Sequence, residues 1–331
     1  MTAATLDIVA IGNAIVDVIA TADDAFLGAE SLAKGSMQLI SAERATELYA
    51  KMGPGREISG GSAANTIAGM AALGRRCGFI GQVADDQLGK VFTHDIRAID
   101  VAFATPPSPG EPPTAQCLIL VTPDGQRTMN TFLGASQFLP AAAIDKAVIE
   151  SAEILYLEGY LWDPEEPRAA MQRAIRIAHE AGRKVAFTLS DAFCIERHRD
   201  SFLTLIDNGD IDILFANEAE MHSLMQSDDF DGSVAAIAAK VPLLIVTRGP
   251  HGALAVTAGA RSEVPAEPVA KVVDTTGAGD LFAAGFLAGH AAGRSIPDCL
   301  TMGAVCAAEV ISHYGPRPEA DLKALVSAKL G

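Results

Sequence analysis

The chain has 331 residues, 49% of them hydrophobic but only 5% aromatic, with a formal net charge of −16. That length suits one large α/β domain with an added lid, and Ala and Gly supply much of the apolar content, as in helices packed closely over a sheet. The acidic balance excludes nucleic acid or an anionic membrane as the main partner, since either demands basic surface, and it leaves any polyphosphate to be met by local dipoles and a metal.

In chain order, Ile8–Ile11 and Ile15–Ile19 read as strands on either side of Gly12-Asn13. Short apolar runs recur at Cys77–Ile80, Ile154–Leu157, Val185–Leu189, Ile211–Phe215 and Leu243–Thr247. Helical spacing separates them over 62–73, 85–98, 166–181, 218–225 and 233–240. Strands alternating with helices predict βαβ units and a doubly wound, mostly parallel sheet with helices on both faces. Strands covered on both sides are apolar throughout, as these are.

Two regions break the rhythm, 15–42 and 101–133. The second holds Gln116–Thr122, the turn Pro123-Asp-Gly125 and Arg127–Phe132, a hairpin pattern. The expected division is a large α/β domain of 1–14, 43–100 and 134–331, with 15–42 and 101–133 as a β-rich insertion. Five cysteines (Cys77, Cys117, Cys194, Cys299, Cys306) lack C-x-x-C spacing and read as reduced thiols of a cytoplasmic protein. The amino terminus, Met1 to Asp7, has no basic leader or cleavage pattern, and no apolar stretch reaches membrane-spanning length.

The chemistry is densest in Asp274-Thr-Thr-Gly-Ala-Gly-Asp280, where a small-residue loop opens a helix marked by Leu281, Phe282, Phe286 and Leu287. The amides of Gly277, Ala278 and Gly279 at the positive end of a helix dipole form an anion hole. A carboxylate beside an anion repels it, but Asp280 is well placed to take a proton from a hydroxyl attacking a phosphate held there. The plainer alternative makes Asp280 a helix cap. Ser59-Gly-Gly-Ser-Ala-Ala-Asn65 is a second such loop, running into the helix from Thr66. The chain has neither a G-x-x-x-x-G-K-[ST] P-loop nor a G-x-G-x-x-G.

Together the two loops resemble the two signatures of the ribokinase-like (PfkB) family of carbohydrate and nucleoside kinases. The C-terminal one is matched at every position, and Gly60, Gly61 and Asn65 carry the N-terminal one. The resemblance runs from Asp7 to about Pro318. It implies that the β-rich insertion forms a small lid over the acceptor site, that Asp280 is the base, and that the cofactors are ATP and Mg²⁺. Asn217-Glu-Ala-Glu220 is similar to the family's N-x-x-E, with Glu220 acting on Mg²⁺ through water and Asn217 near the phosphates; a helix cap with an acidic first turn is the other reading. Thr247-Arg-Gly-Pro-His-Gly252 resembles the segment passing near the ATP phosphates and ribose, through Thr247, Arg248, Gly249 and Gly252, though a turn before a hairpin reads equally well. The helix around Gly303–Ala308 matches the region lining the adenine. Family members often hold K⁺, which here falls to Asp274, Thr276 and backbone carbonyls near Ser312–Gly315, unless Asp274 only caps its turn.

Gly12-Asn13-Ala-Ile-Val-Asp17 resembles the adenosine kinase branch, in which Asp17 would bind both ribose hydroxyls. Gly61, Ser62 and Asn65 would add sugar contacts, Asn13 and Gln38 would face the base, and Leu133 would cover it. Trp162 is either an aromatic wall or ordinary packing. The expectation is phosphoryl transfer from ATP to a nucleoside 5′-hydroxyl by a monomer or homodimer. A sugar kinase of the same family is the first rival, and a non-catalytic nucleoside-binding protein the second.

Overall fold

The computed structural model of the chain describes residues 4–331. Residues 1–3, which begin the expected large domain and the amino terminus without a leader, lie outside them. The strands are β1 (Leu6–Ile11), β2 (Ile15–Thr21), β3 (Met37–Leu39), β4 (Arg56–Gly60), β5 (Cys77–Ile80), β6 (Ala102–Phe103), β7 (Ala115–Val121) and β8 (Arg127–Phe132). They continue with β9 (Ala152–Glu158), β10 (Lys184–Thr188), β11 (Ile213–Asn217), β12 (Leu243–Thr247), β13 (Ala253–Thr257) and β14 (Ala260–Val264).

A nine-stranded sheet has the order β14-β13-β12-β11-β10-β9-β1-β5-β6. From β12 to β6 every pairing is parallel; β13 and β14 add an antiparallel hairpin at one edge. Two apolar cores cover its faces. Ile8, Ala10, Tyr156 and Ile245 point into one, against the helices Ser62–Ala72, Ala278–Ala291 and Ile296–Val310. Val9, Ile11, Leu155 and Val246 point into the other, against the helices Glu165–Glu180 and Ala192–Asp207. Strands buried on both faces carry no alternation, which is why they read as continuous apolar runs.

The second sheet has five strands in the order β3-β8-β7-β2-β4. Here alternation is real. Val18, Leu118 and Leu120 pack outward with Leu27 and Leu48 into a small core, whereas Ile15, Cys117, Ile119 and Met129 face the cleft between the sheets.

The expected division needs two corrections. β4 and the helix Ala42–Lys51, which contributes Leu48, belong with the small sheet. Arg56-Glu-Ile-Ser-Gly60 has one large apolar residue, so no hydrophobic pattern announced a strand. Conversely, β6 at the start of 101–133 joins the large sheet, where Phe103 meets Phe79 and Phe92 at ring separations of 6.0 and 5.5 Å.

Candidate active site

Parallel sheets place ligands at the carboxyl ends of their strands. Asn13 follows β1, Glu158 ends β9, Ser190 and Asp191 follow β10, and Asn217 and Thr247 end β11 and β12. All six line one cavity of about 530 Å³, which the small sheet covers.

At the acceptor end, Asp17 projects from β2 and is only 7% exposed. Burial pushes its carboxyl up to about 7, against the pull of Arg317 and Arg127, with a smaller push from Asp280. Gly60 lies against it; a Cβ there would sit 2.3 Å from Asp17 Oδ2. The next residue, Gly61, has φ +99 and a carbonyl, that of Asn13, where a Cβ would go. Both glycines of the loop are therefore required by close contact, Gly60 with Asp17 of β2 and Gly61 with Asn13 of the β1–β2 connection.

The small sheet supplies the rest of that wall. One rung crosses it through Asp17, Cys117, Thr131 and Leu39, and the neighbouring rung through Ile119, Met129 and Met37. Leu133 lines the cavity beside them. Gln38 does not. Strand side chains alternate, so Met37 and Leu39 face the cleft and Gln38 faces away, donating to Asn130 Oδ1 at 2.7 Å. Gln38, expected to face the base, thus lies outside the cavity, which its neighbours Met37 and Leu39 line instead.

At the other end, Gly277 caps the helix Ala278–Ala291, and Gly277, Ala278 and Gly279 line the cavity with no side-chain cap on the helix amides, although Ala278 N–H, expected in the anion hole, already donates to the Thr275 carbonyl at 3.2 Å. Asp280 stands in the first turn. Its Oδ1 accepts from Ser62 Oγ at 2.6 Å and its Oδ2 from Asn65 Nδ2 at 3.0 Å. The motif carboxylate is thereby aimed by the helix Ser62–Ala72, the other loop's helix. Burial raises its pKa, while Ser62, Asn65 and Arg317 lower it. Asn65 Oδ1 is buried without a partner. Asn13 is fixed by its neighbours: its backbone N–H and Nδ2 both donate to Glu158 Oε1 at 2.7 Å, and Oδ1 accepts from Ser136 at 2.8 Å.

Asn217 and Glu220 form a full capping box on the helix Glu218–Met225, so the cap reading is realised. Both also line the cavity. Burial pushes Glu220 up to about 7, and the charge of Asp191 pushes the same way. Desolvated oxygen ligands that repel one another suit a hard cation such as Mg²⁺. Asp274 differs. Its Oδ1 takes the N–H and O–H of Thr276 at 3.1 and 2.8 Å, and its Oδ2 takes Gly315 N–H at 3.0 Å and forms an ion pair with Arg127 at 3.0 Å. Three hydrogen bonds occupy this carboxylate and the Arg127 ion pair already supplies its positive charge, so this arrangement does not fit K⁺.

Thr247 lines the cavity, but Arg248 turns away, pairing with Glu218 at 3.2 Å over the Phe230 ring. Gly249 and Gly252 shape the turn before the β13–β14 hairpin. Gly303 is a helix contact: a Cβ on it would lie 2.8 Å from the Phe282 carbonyl. Trp162 is core, edge-on to Phe187 and Phe202.

The pfkB family carbohydrate kinase model matches residues 6–322. The chain belongs to the PfkB family. As in that family, its ribokinase-like fold carries a phosphotransferase, with ATP implied as donor. An adenosine kinase from Sinorhizobium meliloti superposes with a TM-score of 0.92 at 48% identity, covering 98% of this chain and 100% of the other. A probable sugar kinase from Rhizobium etli gives 0.92 at 47%, covering 98% and 99%. In sequence, the chain is 31% identical to a fructokinase from Klebsiella pneumoniae over 75% of this chain and 82% of that one. It is 26% identical to the adenosine kinase of Saccharomyces cerevisiae over 94% and 96%. Among the described residues no helix is long and apolar enough to cross a membrane.

Four residues of this PfkB-family site escaped the sequence reading: Glu158, Asp191, Arg127 and Arg317. A signal existed for the first two, because each is an acidic residue at the carboxyl end of an apolar parallel strand. Arg127 lay inside the hairpin pattern and Arg317 in Gly315-Pro-Arg-Pro318, where nothing local marks a partner.

Proposed function

We propose that the chain transfers the γ-phosphoryl group of ATP to the 5′-hydroxyl of a nucleoside, most readily adenosine, giving AMP and ADP in a purine-salvage reaction. The observation that carries this reading is the cleft face of the small sheet. Beside Asp17 it presents Ile15, Met37, Leu39, Ile119, Met129 and Leu133, an apolar wall beyond what a free sugar needs. Met37 and Leu39 are 43% and 54% exposed there, surface that a base would cover. The likeness to the Sinorhizobium meliloti adenosine kinase supports the same reading.

In the mechanism, Asp17 accepts the ribose 2′- and 3′-hydroxyls and the apolar wall holds the base. Asp280, steered by Ser62 and Asn65, takes the 5′-hydroxyl proton as the new O–P bond forms and the bond from Pγ to the β–γ bridging oxygen breaks. The amides at Gly277 and Gly279 stabilise charge on the phosphoryl group in flight. Mg²⁺, organised through water by Glu220 and Asn217, would neutralise the triphosphate. The proton leaves Asp280 for solvent as product departs.

A sugar acceptor is the second reading, favoured by the fructokinase and sugar kinase relatives. ADP formation with adenosine, ribose and fructose at equal concentrations decides between them. Adenosine should give the highest kcat/KM, and faster turnover of either sugar would overturn the assignment.

A further inference from the structure

The segment Gly315-Pro-Arg-Pro318 joins the two motif loops, and no motif contains it. Gly315 N–H donates to Asp274 Oδ2 at 3.0 Å. Pro316 packs on Gly277, close enough that a Cβ on that glycine would meet its Cβ at 2.8 Å. Arg317 then reaches the other loop. Its Nε and Nη2 donate to the Ser59 carbonyl at 3.0 and 2.8 Å, and Nη1 to the Ala64 carbonyl at 3.0 Å. These carbonyls bracket Gly60, Gly61, Ser62 and Ala63, so one planar fork fixes the joint between β4 and the helix Ser62–Ala72. That joint places Ser62 and Asn65 on Asp280, and Gly60 against Asp17.

All of these bonds go to neutral oxygens, and among the described residues Arg317 forms no ion pair. Its charge therefore remains available to the carboxylates around it: Asp17 from β2, Asp280 from its helix, and Asp95 from the helix Gln87–Ala98, which also accepts Ser59 N–H at 3.1 Å. Asp17 is faced in addition by Arg127 of β8 and Cys117 of β7, and Asp280 lies near Glu158 and Tyr156 of β9.

We propose that Arg317 is a positioning residue for phosphoryl transfer: it locks the loop that aims the base and supplies the positive charge shared by the acceptor-binding and proton-accepting carboxylates. This rests on the acceptor reading above. Arg317 acts through Asp17 and Asp280 and touches no reacting atom.

Removing the charge should make both carboxylates harder to ionise. Arg317→Gln should move the acid limb of the kcat/KM profile up by roughly half to one pH unit. At pH 7 it should lower kcat/KM for the acceptor by about tenfold. Arg317→Lys keeps the charge but cannot fork between two carbonyls. Its limb should stay at the wild-type position while the acceptor KM rises several-fold and the ATP KM holds. A purely structural staple would instead lower Tm and leave limb and acceptor KM alone; that result overturns the proposal. If the Gln variant does not accumulate, the Lys variant decides by its acceptor KM, and no change there also overturns it. Side-chain carboxyl ¹³C titration of Asp-labelled protein reads Asp17 and Asp280 without any acceptor. Failure to phosphorylate adenosine therefore sinks the function, whereas unshifted carboxyl titrations in Arg317→Gln sink the role of Arg317.

Discussion

Asp17→Asn should make the protein more stable and less active, with an effect that depends on pH. Burial raises the Asp17 carboxyl from its ordinary 3.8 to about 7. The unfolded chain retains the ordinary value, so above pH 7 the folded state holds an ion at a cost. That cost is roughly 1.4 kcal/mol for each pH unit separating the two values, about 4 kcal/mol in all. The neutral amide removes it but has a burial cost of its own, which leaves a gain of about 2 kcal/mol. For a chain of this length that is roughly 3 °C in Tm. The sign follows from a raised folded-state pKa. Protonation of Asp17 supports the fold fully below pH 3.8, and the support is lost as pH climbs through about 7. The advantage of the variant should therefore grow between pH 4 and 7 and level off beyond. Thermal melts of both proteins from pH 5 to 8.5 read this directly. Over the same range wild-type acceptor binding should strengthen as pH rises through 7, because the ionised carboxylate accepts both hydroxyls. Adenosine kcat/KM in the variant should fall by roughly 10- to 150-fold, from loss of charged hydrogen bonds, and by less for 2′-deoxyadenosine. A melting difference that is flat with pH, or a variant less stable than wild type at pH 8, would refute the desolvation argument.

Asp280→Asn keeps the shape and both neighbours of the base but cannot take a proton, so kcat should drop by about 10²–10⁴ while ATP still binds by calorimetry; near-normal turnover removes Asp280 from proton transfer. Glu220→Gln should raise the Mg²⁺ concentration giving half-maximal rate and spare the acceptor KM, and an unchanged Mg²⁺ titration leaves the capping box as the whole role of Asn217 and Glu220. Because Arg127 already neutralises Asp274, exchanging K⁺ for choline at constant ionic strength should leave kcat unaltered, and a clear fall would place an ion beside Asp274 after all.

What the sequence disclosed followed how locally each feature is written. Parallel strands buried on both faces betray themselves as short apolar runs, and the two glycine loops carry their chemistry within seven residues. The helix Ala192–Asp207 was missed although Asp191 caps it by accepting Cys194 N–H at 2.6 Å, because that cap doubles as a cavity residue and Arg197, His198 and Arg199 blur the apolar face. β4 was missed for want of apolar residues, since its partner β2 supplies the hydrophobic face. Gln38 failed for a geometric reason: an alignment of types names a strand, but only the pleat says which of two neighbours faces the cleft. Arg127 and Arg317 illustrate a harder limit. Arg127 acts on Asp274 and Arg317 on Ser59 and Ala64, partners brought near by folding alone.

The pleat of the small sheet also bears on how such a protein changes partners over evolutionary time. Residues that pack into the outer core of the sheet, Val18, Leu118 and Leu120, lie on one side, and residues that line the cleft, Cys117, Ile119 and Met129, lie on the other. The phosphoryl-transfer groups sit elsewhere, on the large sheet and its helices. Mutations at the exposed cleft positions Met37 and Leu39 can therefore accumulate without unfolding the cover or disarming the base, whereas Cys117 and Ile119 are buried and tolerate only changes that keep their volume. A single scaffold can then diversify across sugars and nucleosides by exchanging a handful of alternate positions, and a library confined to Met37, Leu39, Cys117, Ile119, Met129 and Thr131 is where altered acceptor preference should be sought.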